Sequence, residues 1–151
     1  MTLIELVVTT TVVAVLALVA VPVVKTTVRK QQEIELRRAL RTVRSAIDDY
    51  KRTIGENPQL QAAQSLQKGN TDGYPPTLDT LVKGFDTGEL KQRKIKFLRR
   101  IPIDPMTCQP DWIVRSNKQD RGSGSWDHFN VFDVRSASPA AALDGTKYAD
   151  W

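Results

Sequence analysis

Cys108 and His128 are the single cysteine and single histidine of this 151-residue chain. A thiol and an imidazole are the least that a nucleophile and its base require. Neither stands in a recognisable motif, and Cys108, between Met106 and Pro110, reads as a loop residue. One cysteine excludes an intrachain disulfide, and one Cys with one His falls short of a zinc site built on those ligands. The sequence carries no Gly-rich phosphate loop and no paired-carboxylate motif, so no enzymatic activity is expected. Trp112, Trp126, Phe129 and Phe132 near Arg115 and Arg121 could stack on bases, but most fall on or beside predicted strands and read as core or subunit contacts. The net charge of +5 points the same way, because it is concentrated in one segment. Residues 25–54 hold nine basic and four acidic groups, and no nucleic-acid partner is expected. The residue that stands out is Glu5, a carboxylate at the head of a long uncharged stretch.

The element that must carry Glu5 is a helix. Residues 6–24 are nineteen uncharged, mostly apolar positions, close to the roughly 20 that cross a ~30 Å hydrocarbon core. This segment reads as membrane-spanning. No Lys or Arg precedes it, and it is longer than the ~7 to 15 apolar residues of a cleavable signal. A carboxylate at the bilayer centre costs roughly 2.5 to 3.5 kcal/mol, so Glu5 needs an interface or a partner. Pro22 removes a helical hydrogen bond, which predicts a bend or loosening around residues 18 to 22.

Beyond Lys25, Leu36, Leu40, Val43, Ile47, Tyr50 and Ile54 recur at spacings of 4, 3, 4, 3 and 4, a one-sided helical stripe. Charged residues including Arg37, Arg41, Arg44 and Asp48 fall between stripe positions, and Gly55 followed by Asn57-Pro58 supplies a stop. One helix from about residue 2 to 54, roughly 80 Å long, is predicted. Its stripe is short for a coiled coil and is expected to pack on the chain's own C-terminal region.

Met1-Thr2-Leu3-Ile4-Glu5-Leu6, the apolar run and Pro22 together resemble the mature N-terminus of type IV pilins and type II secretion pseudopilins. The resemblance implies a leader removed by a prepilin peptidase, a methylated N-terminus at Met1 (where the family usually has Phe), and assembly through Met1, Glu5 and Pro22. It also implies that Glu5 pairs with the N-terminal amine of a neighbouring subunit. Residues 97–105, Phe-Leu-Arg-Arg-Ile-Pro-Ile-Asp-Pro, look like the segment before the sheet in the major pseudopilin. The fold expected is α+β and pilin-like: a filament-core helix over 1–24, its amphipathic continuation over 25–54, and a globular region over 55–151 with a short helix and one small antiparallel sheet packed across the Leu36 to Ile54 stripe.

Within that region Thr77 reads as the N-cap of a short helix with Leu78, Leu81 and Val82 on one face. Strands are predicted over 111–115, with Trp112 and Val114 on one face, and over 129–135, joined by a long polar loop. Similar pseudopilins often hold calcium after the second strand. Here residues 136–150 offer only Asp144 and Asp150, with Ser136, Ser138 and Thr146 as weaker oxygens, against the 6 to 8 that calcium takes. A turn at Asp144-Gly145 and docking of Tyr148 and Trp151 are preferred to a metal, and no other cofactor is expected.

The function expected is a structural subunit of a filament assembled from the bacterial inner membrane, most like a major pseudopilin, with the globular domain periplasmic. The implied partners are further copies of the chain, the bilayer before assembly, the prepilin peptidase, an inner-membrane assembly platform and minor pseudopilins. A type IV pilin and a monomeric single-span anchor for a binding domain are the alternatives.

Overall fold

The computed structural model describes residues 2–68, 72–86, 94–120, 123 and 125–151, and within these the side chains of 18–23, 63, 66–68 and 86 lie outside the description. The chain is α+β. A long N-terminal helix α1 (Leu3–Glu56) is followed by α2 (Pro58–Lys68) and α3 (Leu78–Lys83). The described residues then form the short strands β1 (Phe85–Asp86), β2 (Lys94–Ile95), β3 (Ile113–Arg115) and β4 (Asp133–Arg135), with a terminal 3-10 turn at Tyr148–Asp150.

The helical stripe behaves as its spacing demands. Leu36, Val43, Ile47, Tyr50 and Ile54 are fully buried and Leu40 nearly so, joined by Ala39 and Ala46 on the same face. Val131, Val134, Trp112, Leu81, Phe85 and Tyr148 close over this face. The core is therefore one seam along the second half of α1, and a ring of edge-to-face aromatics finishes it: Tyr50 meets Phe85 at 6.1 Å and Phe97 at 5.1 Å. Burial raises the Tyr50 hydroxyl pKa well above the ordinary tyrosine range.

Several elements depart from expectation. The helix α2 was not foreseen, although Asn57-Pro58 is a start signal as well as a stop: Pro58 occupies the first helical position, where its missing N–H costs nothing. Its buried Gln64 donates to the Tyr74 carbonyl at 2.7 Å, tying α2 to the loop that follows. Thr77 sits at the N-cap of α3, but its hydroxyl meets the Thr80 hydroxyl at 3.0 Å instead of capping a backbone N–H. Leu81 is buried and its carbonyl accepts from both Phe97 and Leu98 N–H, which seats the Pro-rich segment on α3.

In place of one small sheet, the described residues form two separate antiparallel pairs, β1–β2 and β3–β4, with Val114 opposite Val134 at the centre of the second. The expected strand over 129–135 shortens to β4. Asn130 and Val131 are both fully buried, which breaks the alternation, and Val131 N–H donates to the Pro75 carbonyl, away from β3. Trp112 lies just before β3, buried, with its indole N–H on the Pro102 carbonyl at 2.8 Å.

Gly84 is the pivot between α3 and β1. It ends α3 at φ 87°, ψ 159°, a backbone region open almost only to glycine, and its N–H donates to the Thr80 carbonyl. A Cβ here would lie 2.9 Å from the Ile95 carbonyl oxygen, backbone that cannot yield without opening the β1–β2 pair. Gly84→Ala is expected to cost roughly 1 to 3 kcal/mol. Thermal unfolding monitored by circular dichroism checks this, and an unchanged midpoint contradicts the pivot.

Candidate assembly site

The first half of α1 is built to meet something other than water. Leu3 and Ile4 are 84% and 71% exposed, Leu6, Val7, Val8, Val12, Val13 and Leu16 are also more than half exposed, and together these positions span every side of the helix. The three threonines do not relieve this. Thr9 and Thr10 donate to the Leu6 carbonyl at 3.0 and 2.9 Å and Thr11 to the Val7 carbonyl at 2.7 Å, so their hydroxyls fold back onto the helix and leave methyl groups outward. An apolar surface of this extent marks a contact with lipid or protein.

Among the described residues no helix is long and apolar enough to cross a membrane. The described apolar side chains stop at residue 17 and resume at Val24, so the span expected over 6–24 falls partly outside the described residues. Met1 and the Pro22 side chain lie outside them as well, while the backbone stays helical through residues 18 to 22, where a bend or loosening was expected, with no break in α1.

Glu5 occupies the third position of α1, exposed, where the positive end of the helix dipole favours a carboxylate. Its oxygen accepts the Thr2 backbone N–H at 3.4 Å, a long bond. Thr2-x-x-Glu5 before an apolar run is a capping-box spacing, a signal legible in the sequence. Glu5 therefore has a local task in the free chain and holds it weakly.

Where α1 enters the domain, polar groups expected to be merely solvated hold the chain together. The Glu33 carboxylate accepts the Leu143 N–H at 2.8 Å and the Tyr148 hydroxyl at 2.9 Å. Arg29 donates to the same Tyr148 hydroxyl and to the Ala141 carbonyl. Arg44, off the apolar stripe by spacing, pairs with Asp133 at 2.7 Å and donates to the Val134 and Trp151 carbonyls at 3.0 and 2.8 Å. Arg115 binds the other Asp133 oxygen at 3.2 Å. Hydrogen-bonding anchors on a helix flank have no periodic signature, and that is why the pattern missed them.

The calcium candidates separate into two local roles. Asp144 takes the Thr146 N–H at 2.9 Å and the Thr146 hydroxyl at 2.6 Å on one oxygen, closing a turn in which Gly145 adopts φ 86°. These bonds from Thr146, with Arg37 beside it, hold the Asp144 carboxyl below its ordinary range. Asp150 lies in the terminal 3-10 turn, where its N–H bonds the Lys147 carbonyl. Among the described residues no group of three or more His, Cys, Asp or Glu is placed to hold a metal. Trp151 donates to the Thr146 hydroxyl at 2.7 Å and packs edge-on against buried Tyr148 at 5.2 Å, so the turn is held from both sides.

Cys108 and His128 occupy different loops. Cys108 is exposed in the turn closed by the Asp104–Gln109 bridge, and His128 packs on Trp126. Both adopt φ 58°. The buried Asp104 serves that turn: it accepts the Met106 N–H at 2.8 Å and the Ser136 hydroxyl at 2.5 Å. Of the aromatic candidates, Trp126 donates to the Asn130 carbonyl and Phe129 lies under Lys118 at 3.8 Å, while Arg121 lies outside the described residues.

With Asp144 already engaged by Thr146, the melting temperature of the full chain in detergent is expected to differ by under about 2 °C between calcium and a chelator. Differential scanning fluorimetry checks this. A larger stabilisation by calcium contradicts the self-contained turn.

Comparison with protein-family models, with curated proteins and with solved structures returns no match for the chain.

Proposed function

We propose that the chain is a structural subunit of a helical filament assembled from the bacterial inner membrane, most like a major pseudopilin of a type II secretion system, with a periplasmic globular domain. The observation that carries this is the contrast along α1. Its first half exposes apolar side chains on every side, while its second half is sealed by the domain from Leu36 onward. A monomer cannot keep the first half in water, because each buried apolar side chain is worth about 1.5 to 3 kcal/mol relative to exposure. Lipid satisfies it before assembly, and helices of other copies satisfy it afterwards. The role is structural, with no catalytic step, and the bilayer, a prepilin peptidase, an assembly platform and minor pseudopilins are the partners that go with it.

Glu5 supplies register. Its bond to the Thr2 N–H is long and exposed, so exchange for a cationic partner in a dry helix bundle is favourable. An unpaired carboxylate there is costly, and a bundle with Glu5 misaligned is penalised. The N-terminal amine of a neighbouring copy has the right charge and lies near the same helix end.

The test compares wild type, Glu5→Leu and Glu5→Gln by electron microscopy of filaments from cells carrying the assembly machinery. Glutamine keeps the capping bond to Thr2 and removes only the charge. Both variants are expected to remain in the membrane fraction and to lose most of their filaments. Normal filament yield from Glu5→Leu contradicts the register role, and rescue by Glu5→Gln alone assigns Glu5 to capping. Wild-type chain that stays monomeric in such cells favours the membrane-anchored binding domain instead.

A further inference from the structure

A groove on the domain, far along α1 from the apolar half, is lined by arginines. Arg37, Arg41 and Arg44 follow one another at helical spacing and form one wall, Leu40 lies at its base, and Trp151 stands opposite. The groove holds about 600 Å³ and adjoins a second cleft of about 520 Å³, sharing Arg44 and Trp151 with it and adding Arg115 and Arg135. Both volumes fall within the ~300 to 1,000 Å³ of clefts that hold ligands.

The five guanidiniums are not equally spent. Arg44 and Arg115 share Asp133, and Arg37 lies over the Trp151 ring at 4.2 Å with Asp144 at 3.7 Å. Arg41 is exposed and has no hydrogen-bond or ion-pair partner among the described residues. Among the described residues Arg135 reaches only the Ser123 carbonyl, at 3.4 Å, and its Nε has no acceptor there. Arg41 and Arg135 are thus two guanidiniums of the double cleft without a carboxylate partner among the described residues.

From this geometry we infer that the Arg41 groove docks an extended acidic peptide segment of another protein. Guanidinium forks match carboxylates two bonds at a time, and Leu40 with Trp151 gives the intervening side chains an apolar seat. The groove's own acids set the class of partner. Asp48 lines the first cleft, and Asp133 and Asp150 line the second. They repel a continuous phosphate chain, whereas a peptide places its carboxylates at intervals and offers backbone N–H groups between them. This surface lies apart from the apolar half of α1, so it is open to test whether or not the chain assembles.

The test uses the full chain in a nonionic detergent at low salt, with a fluorescein-labelled hexaglutamate peptide read by anisotropy. Hexaglutamine and a single-stranded oligodeoxynucleotide serve as comparison probes. Arg41→Glu and Arg41→Gln remove the free cation, and Arg38→Glu, exposed and outside the groove, makes the same change of net charge as the first. Hexaglutamate binding is expected to fall at least about tenfold in Arg41→Glu and severalfold in Arg41→Gln, and to change by less than about twofold in Arg38→Glu. All variants should keep the wild-type melting temperature. Equal losses at positions 38 and 41, hexaglutamine binding as tightly as hexaglutamate, tighter binding of the oligonucleotide, or no binding at millimolar peptide would each overturn the proposal.

Discussion

A helix that is apolar on every side cannot end in water, and in this chain that constraint governs how everything else is arranged. From Leu3 to Leu16 the large exposed apolar side chains are leucine, isoleucine and valine, Glu5 is the one charge among them, and the threonine hydroxyls turn back to the Leu6 and Val7 carbonyls of the preceding turn. The rest of the chain wraps only the far half of the same helix, from Leu36 to Ile54. One continuous α1 therefore joins a surface that must leave water to a domain whose own core is complete.

Such a junction has to resist being pulled apart, and the polar groups on the flank of α1 meet that need. Hydrophobic packing of the stripe is non-directional and permits sliding along the helix. Glu33 and Arg29 on Tyr148, and Arg44 on Asp133 and Trp151, fix both the height and the rotation of the domain on α1. The Arg44–Asp133 pair is partly exposed, so its value lies in geometry more than in net stability. The C-terminal turn built on Asp144, Gly145 and Thr146 belongs to the same clamp, because it presents Trp151 to Arg44 and to the ring contact with Arg37.

What could be read in advance follows from periodicity. The stripe of Leu36 to Ile54 was legible to the residue, because one-sided burial on a 3.6-residue period leaves a repeating trace. The end of α1 was legible from local signals to within two residues, since the helix runs through Gly55 and Glu56 and is capped at Asn57, and so was the short helix after Thr77. The β1–β2 pair was not, because two-residue strands are too short to alternate, and the hinge at Gly84 shows only in its φ and in the nearness of the Ile95 carbonyl. Asn130 and Val131 misled in the other direction: an apparent alternation dissolved when Val131 bonded Pro75 instead of β3. At the candidate site, Glu5 is legible as the lone charge before Lys25, and its bond to the Thr2 N–H is written in the capping-box spacing. Arg44 and Glu33 could not be found by pattern, since their partners are more than a hundred residues away or nearly so.

The central claim is that the apolar half of α1 trades lipid for copies of itself. Photo-crosslinking residues placed singly at Val7, Val12 and Val13, exposed positions roughly 120° apart around the helix, test it in cells carrying the assembly machinery. The account predicts lipid adducts alone before assembly is induced, and afterwards covalent ladders of the chain from all three positions, because a helix buried in a bundle is contacted on every side. Lipid adducts that persist unchanged at all three positions after induction, with no chain-to-chain product, would contradict it.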